Sequence, residues 1–179
     1  TDAQKGESGA VSTLDHTDAE HRHLTVLCCD LVDASARTTP QDLGALYEAI
    51  RTSHATCATV ITRFEGYVAQ YREDGLLAYF GFPLAHEDDA QRAVRAGLAI
   101  VEAMQHGADQ AVSLQVRVGI HTGTVVVGAL GIGAGQTPMA LGEVPQDAAQ
   151  LLTRAAPHTV VLSAATWHLV AGWFVGERL

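Results

Sequence analysis

The spacing of apolar positions changes period several times along the chain, and each change marks an element. The run 24-LTVLCCDLV-32 is almost continuously apolar and reads as a central strand over about 23–32. From Pro40 the period becomes helical, with Leu43, Leu46, Tyr47, Ile50, His54, Cys57, Ile61 and Phe64 on one face until Gly66. His54 on that stripe reads as a packed core or interface residue rather than a ligand. Next, 67-YVAQYREDGLLAYFGF-82 holds two strand-like runs joined at Asp74-Gly75, a hairpin signal. A second amphipathic helix spans about 86–105, with Ala90, Ala93, Val94, Gly97, Val101 and Met104 inward. The segment 114-LQVRVGIHTG-123 alternates as a strand, and 125-VVVGAL-130 reads as another. A Gly-rich loop at 131–138 lacks the Lys and Ser/Thr of a phosphate-binding loop. A short helix near 145–156, a strand at 159–163, a helix near 164–171 and a last strand fragment complete the chain. The order β-α-β-β-α-β with a C-terminal appendage predicts an α+β fold, a ferredoxin-like sheet with helices packed on one face.

One residue breaks the first strand's pattern. An unpaired carboxylate in a buried strand is costly. Either Asp30 has a partner such as a cation, or the strand stops at Cys29 and Asp30 opens a loop. The chain's 179 residues suffice for one domain with a sizeable core, and no apolar run approaches the roughly 18 residues of a membrane span. Residues 1–21 are polar, carry no signal-peptide core and read as a disordered lead-in. The missing initiator Met points to a piece of a longer protein. A net charge of −9 argues against a nucleic-acid binder, which needs a basic surface. Cys28, Cys29 and Cys57 make neither a disulfide framework nor a zinc pattern and read as small buried hydrophobes of a reducing compartment, the cytoplasm. His21 and His23 form an H-x-H pair beside the lead-in, a minor metal candidate.

Five blocks in order, 26-VLCCDLV-32, 71-YREDGLLAYFG-81, 85-AHEDDAQRAVRAGLAI-100, 116-VRVGIHTGTVVVG-128 and 141-LGEVPQDAAQLL-152, carry a family resemblance. The chain over 22–179 resembles the class III adenylyl/guanylyl cyclase homology domain, as found in long bacterial multidomain signalling proteins. The resemblance implies a head-to-tail dimer with composite sites, in which the ribose 3′-hydroxyl of ATP or GTP attacks the α-phosphate and pyrophosphate leaves. It implies two Mg²⁺ or Mn²⁺ ions per intact site, held by two Asp residues of one chain. These match Asp30 and Asp74, whose spacing is the family's usual one. Hard cations need such carboxylate oxygens.

The groups that the family supplies from the other chain do not match. The purine-binding Lys falls on Gln70 and the second purine residue on Met139. The Asn of the family's N-x-A-A-R motif falls on Gln146, and its transition-state Arg on Gln150. Asp33 and Glu73 add negative charge beside the metal carboxylates, and Arg72 and Arg154 read as solvated surface charges. Three functional readings remain open. The first is a regulatory or dimerisation module, a pseudoenzyme inactive or very weak as a homodimer that still binds metal and nucleotide. The second is the metal-bearing half of a heterodimer with another cyclase domain. The third is a weak homodimeric cyclase. No G-G-D/E-E-F run is present, which disfavours a diguanylate cyclase.

Overall fold

A computed structural model of the chain describes residues 20–33, 43–106, 112, 114–130 and 137–179. Of the expected lead-in, residues 1–19 lie outside the described residues, and Glu20 and His21 already belong to the first strand. The elements are β1 (Glu20–Asp33), α1 (Leu43–Arg63), β2 (Tyr67–Arg72), β3 (Gly75–Phe80), α2 (Asp89–His106), β4 (Leu114–Leu130), β5 (Thr137–Leu141), α3 (Val144–Leu151), β6 (Thr159–Leu162) and α4 (Ala164–Val170). One 3₁₀ turn, Leu152–Arg154, extends α3. The sheet runs β2-β3-β1-β4-β5, antiparallel throughout, with β6 added parallel to β4.

Alternation along β1 divides the core in two, because successive side chains point to opposite faces. Leu27, Cys29 and Leu31 face α1 and α2, the crossover helices, which pack on one face as the pattern predicts. Leu24, Val26 and Cys28 face the other way, into a smaller cluster with Val144, Ala148 and Leu152 of the α3 region. The mixed α+β architecture expected from the sequence is therefore the observed one.

Three local expectations need correction. The segment 125-VVVGAL-130 is not a separate strand: β4 continues through Thr122-Gly123. β1 pairs with it from Glu20↔Val127 to Asp33↔Leu114, so the ladder spans the presumed break. Gly123 serves packing there, since a Cβ would lie 2.8 Å from Val144 Cγ2. The α1 stripe follows the predicted face only in part: Ile50, Cys57, Ile61 and Phe64 pack on the larger core. Its buried residues are Ala49, Ser53, Cys57, Val60 and Ile61, while Leu43 and Tyr47 are 57% and 66% exposed. The difference lies in the first turns, where small Ala49 and Ser53 are buried in place of Leu43 and Tyr47. No final strand fragment forms; residues 174–179 carry no regular structure, although Phe174 packs on the larger core. No described helix is long and apolar enough to cross a membrane.

Candidate functional site: a two-carboxylate cleft

The cleft lies where β1 runs out beyond α3. β1 does not stop at Cys29. It continues to Asp33, with Asp30 paired to Gly75 of β3 on one side and Arg117 of β4 on the other. Asp30 shares its face with Leu24, Val26 and Cys28, and its side chain is 16% exposed. A cleft of about 200 Å³ opens there, lined by Asp30, Arg72, Asp74 and Arg117, with Leu152 and Thr153 closing it from the α3 end.

Backbone contacts bring the two carboxylates together. The Leu31 N–H donates to the Asp74 carbonyl at 2.6 Å, stapling the hairpin turn to β1 beside Asp30. The approach is close enough that a Cβ on Gly75 would stand 2.0 Å from the Cys29 carbonyl oxygen. The sequence-predicted pair Asp30 and Asp74 thus lines one cleft. A second close contact seats α3: a Cβ on Gly119 would lie 2.4 Å from the Ala148 carbonyl oxygen.

The other candidate positions lie elsewhere. Gln70 on β2, Met139 on β5, and Gln146 and Gln150 on α3 are all exposed, and none lines the cleft. The His21/His23 pair is exposed on β1, and no group of three or more His, Cys, Asp or Glu is arranged to hold a metal among the described residues. His54 is half-buried, tilted against Tyr71 with ring centroids 5.7 Å apart, and burial lowers its pKa. All three cysteines are free and buried. Burial pushes the Cys28 thiol up to about 12, so it behaves as a neutral hydrophobe.

Two arginines add what the sequence reading did not assign. Arg117 Nη2 lies 2.5 Å from Asp30 Oδ2, giving the strand carboxylate a countercharge within the chain. The alternation of 114-LQVRVGI-120 carries a signal for it: Val116, Val118 and Ile120 face α2, which turns Arg117 toward the opposite side. Its partner, 87 positions away, follows only from strand register. Arg72 is exposed, as expected of a solvated surface charge, and also lines the same cleft, whereas Arg154, likewise exposed, lies outside it. The cleft therefore holds two carboxylates and two guanidiniums. Its carboxylate oxygens fit a hard divalent cation, with further ligands from water or phosphate. A cation there competes with Arg117 for Asp30.

Comparison with known proteins follows the same lines. A family model described as "Adenylate and Guanylate cyclase catalytic domain" matches residues 17–174. An uncharacterized protein of Rhizobium meliloti (strain 1021) is 34% identical over 153 residues, covering 84% of this chain and 15% of that protein. Adenylate cyclase 1 of the same organism is 32% identical over 97 residues, 51% of this chain and 15% of that enzyme. The chain thus spans a small part of these relatives' length. Among solved structures, the catalytic core of a rhodopsin-guanylyl cyclase with converted specificity, in complex with ATPalphaS, superposes with a TM-score of 0.77. That match has 24% identity and covers 91% of this chain and 89% of the other, which speaks to fold alone.

Proposed function

We propose a function from one premise: the chain belongs to the adenylate and guanylate cyclase catalytic domain family. It is a class III cyclase-like signalling domain that presents the metal side of a cyclase site and does not complete that site from its own sequence. As a homodimer it forms cyclic nucleotide very weakly or not at all, and it serves as a regulatory or dimerisation module. The observation that carries this reading is the split between the two halves. Asp30 and Asp74 line one backbone-stapled cleft, whereas exposed, uncharged Gln146 and Gln150 stand where the family places Asn and Arg. Losing a cation that acts in a phosphoryl-transfer transition state costs on the order of 10³–10⁵ in rate.

Asp30 and Asp74 would hold Mg²⁺ or Mn²⁺. When bound, such an ion acidifies the attacking ribose hydroxyl and neutralises the triphosphate. The intact carboxylate pair also favours a second reading, the metal-bearing half of a heterodimer whose partner brings the missing Lys, Asn and Arg. A cyclase assay with Mn²⁺ and ATP or GTP separates the readings. The chain alone is expected at background, and turnover that appears on mixing with an intact partner domain identifies the heterodimer. Robust turnover by the chain alone overturns the proposal.

The metal side has its own test. In calorimetric Mn²⁺ titrations, Asp30→Ala and Asp74→Ala are each expected to weaken binding at least tenfold. Asp74→Ala is the cleaner variant, because it leaves the Arg117–Asp30 pair intact. Unchanged binding in both would remove the metal reading.

Dimerisation is supported by the apolar surface that the fold leaves uncovered on and near α1: Leu43, Tyr47 and Tyr71 are 57%, 66% and 58% exposed. Light scattering at high micromolar concentration is expected to report a dimer; monomer alone contradicts it.

A further inference from the structure

We propose that Arg72 is a phosphate-binding residue supplied in cis, giving this cleft affinity for a polyphosphate anion without any divalent cation. The proposal deepens the cyclase-half reading and rests on it. Three observations carry it. First, Arg72 and Arg117 both line the cleft that holds Asp30 and Asp74, so the two carboxylates are matched by two guanidiniums. Second, the guanidiniums are differently committed. Arg117 is engaged by Asp30, while no salt bridge engages Arg72 among the described residues. Besides the Asp74 carboxylate, an incoming anion meets one neutralised carboxylate and one available fork of N–H donors, the geometry that suits phosphate oxygens. Third, Arg72, exposed to solvent, stands at the cleft end of its strand. Beyond the irregularity between Val68 and Gln70, β2 pairs regularly to Arg72↔Gly75, which sets Arg72 at the hairpin end beside the cleft. Its charge reaches Cys28 on the face covered by α3, where it opposes the burial that raises that thiol.

Size selects the ligand class. At about 200 Å³ the cleft is smaller than the roughly 300–1,000 Å³ of sites that enclose a drug-sized molecule. It admits a chain of phosphates and leaves a nucleoside outside, toward a second chain. Arg72 thereby offsets part of the charge deficit left by Gln70 and Gln150. It does so in phosphate binding, without entering the transition-state position on α3.

The test is calorimetric titration of inorganic pyrophosphate, in excess chelator, into the wild-type chain and into Arg72→Gln and Arg72→Lys. Wild type is expected to bind. Arg72→Gln is expected to lose about tenfold to a hundredfold, as for one charge-assisted hydrogen-bond pair, and Arg72→Lys to retain an intermediate affinity. Mn²⁺ titrations on the same proteins are expected to show affinity kept or raised in Arg72→Gln, since a neighbouring positive charge is gone. Failure of wild type to bind pyrophosphate in chelator, or equal binding by Arg72→Gln, overturns the role of Arg72. The Mn²⁺ arm reports separately on the half-site: loss of Mn²⁺ binding only in the Asp variants upholds that reading even when the pyrophosphate arm fails.

Discussion

The triple variant Gln70→Lys, Gln146→Asn, Gln150→Arg forms cyclic nucleotide faster than the parent chain by orders of magnitude, assayed with Mn²⁺ and ATP or GTP. The expectation rests on the proposed split between the two halves of the site. The carboxylate side is built, with Asp30 and Asp74 on one cleft and the hairpin bonded to β1 through Leu31 and Asp74. The missing groups all sit on exposed positions of β2 and α3, so the substitutions bury nothing and strain no core contact. α3 itself is held from beneath by Val144 and Ala148 against the sheet, and by the close approach of Gly119. A side chain placed at position 146 or 150 is therefore presented from a seated helix. Gln150→Arg is expected to supply most of the gain, because it stabilises charge that develops in the transition state rather than binding the ground state. Gln70→Lys contributes to purine binding. Met139→Asp or Met139→Thr, added to the triple variant, shifts the preference between ATP and GTP. A folded, dimeric triple variant with no gain over the parent would defeat this account, and would place the block in Glu73, Asp33 or the dimer geometry.

Gly75→Ala is expected to abolish tight Mn²⁺ binding and to lower stability by about 2–4 kcal/mol, the range of severe steric or strain effects. The added Cβ meets Cys29 O at 2.0 Å, Cys29 C at 2.9 Å and Asp30 Cα at 3.1 Å. Every one of these atoms is backbone, so no rotamer change relieves the clash. The hairpin must retreat from β1, which stretches the Leu31–Asp74 hydrogen bond and draws Asp74 away from Asp30. Gly44→Ala is the control. A Cβ there meets nothing within 4 Å, and on an exposed turn of α1 the change is expected to be neutral or slightly stabilising. Thermal unfolding with parallel Mn²⁺ titration checks both. A Gly75→Ala chain with unchanged melting temperature and unchanged Mn²⁺ affinity contradicts the close-approach argument.

Much of this was legible in the chain itself. The strand and helix periods placed β1, α1, the Asp74-Gly75 hairpin, α2 and the start of β4, because alternation and helical spacing record local burial. The spaced blocks around Asp30 and Asp74 identified the family, and the substitutions at Gln70, Gln146 and Gln150 are visible in the residues alone. What escaped depended on contacts between distant elements. In α1 the stripe packs as its period says from Ile50 onward, whereas the first turns leave Leu43 and Tyr47 exposed, because a helix with small residues on one flank and large ones on the other can be apolar on both. β4 was divided at Thr122-Gly123 because a glycine looks like a break until its neighbour β1 is seen pairing across it.

By itself, then, the sequence placed most of the elements, identified the family and set the carboxylates Asp30 and Asp74 apart from the uncharged residues at 70, 146 and 150. Each of those depends on residue type and short-range spacing. Only the tertiary structure decided how Asp30 is tolerated in a strand and which charges share its cleft. Register in the β1–β4 ladder sets Arg117 opposite Asp30, 87 positions away, and the β2–β3 hairpin brings Arg72 and Asp74 to the same end. Side-chain alternation places a residue on one of two faces. Which charges meet on that face is fixed by pairing between strands far apart in the chain, and it is there that four side chains of opposite charge become one site.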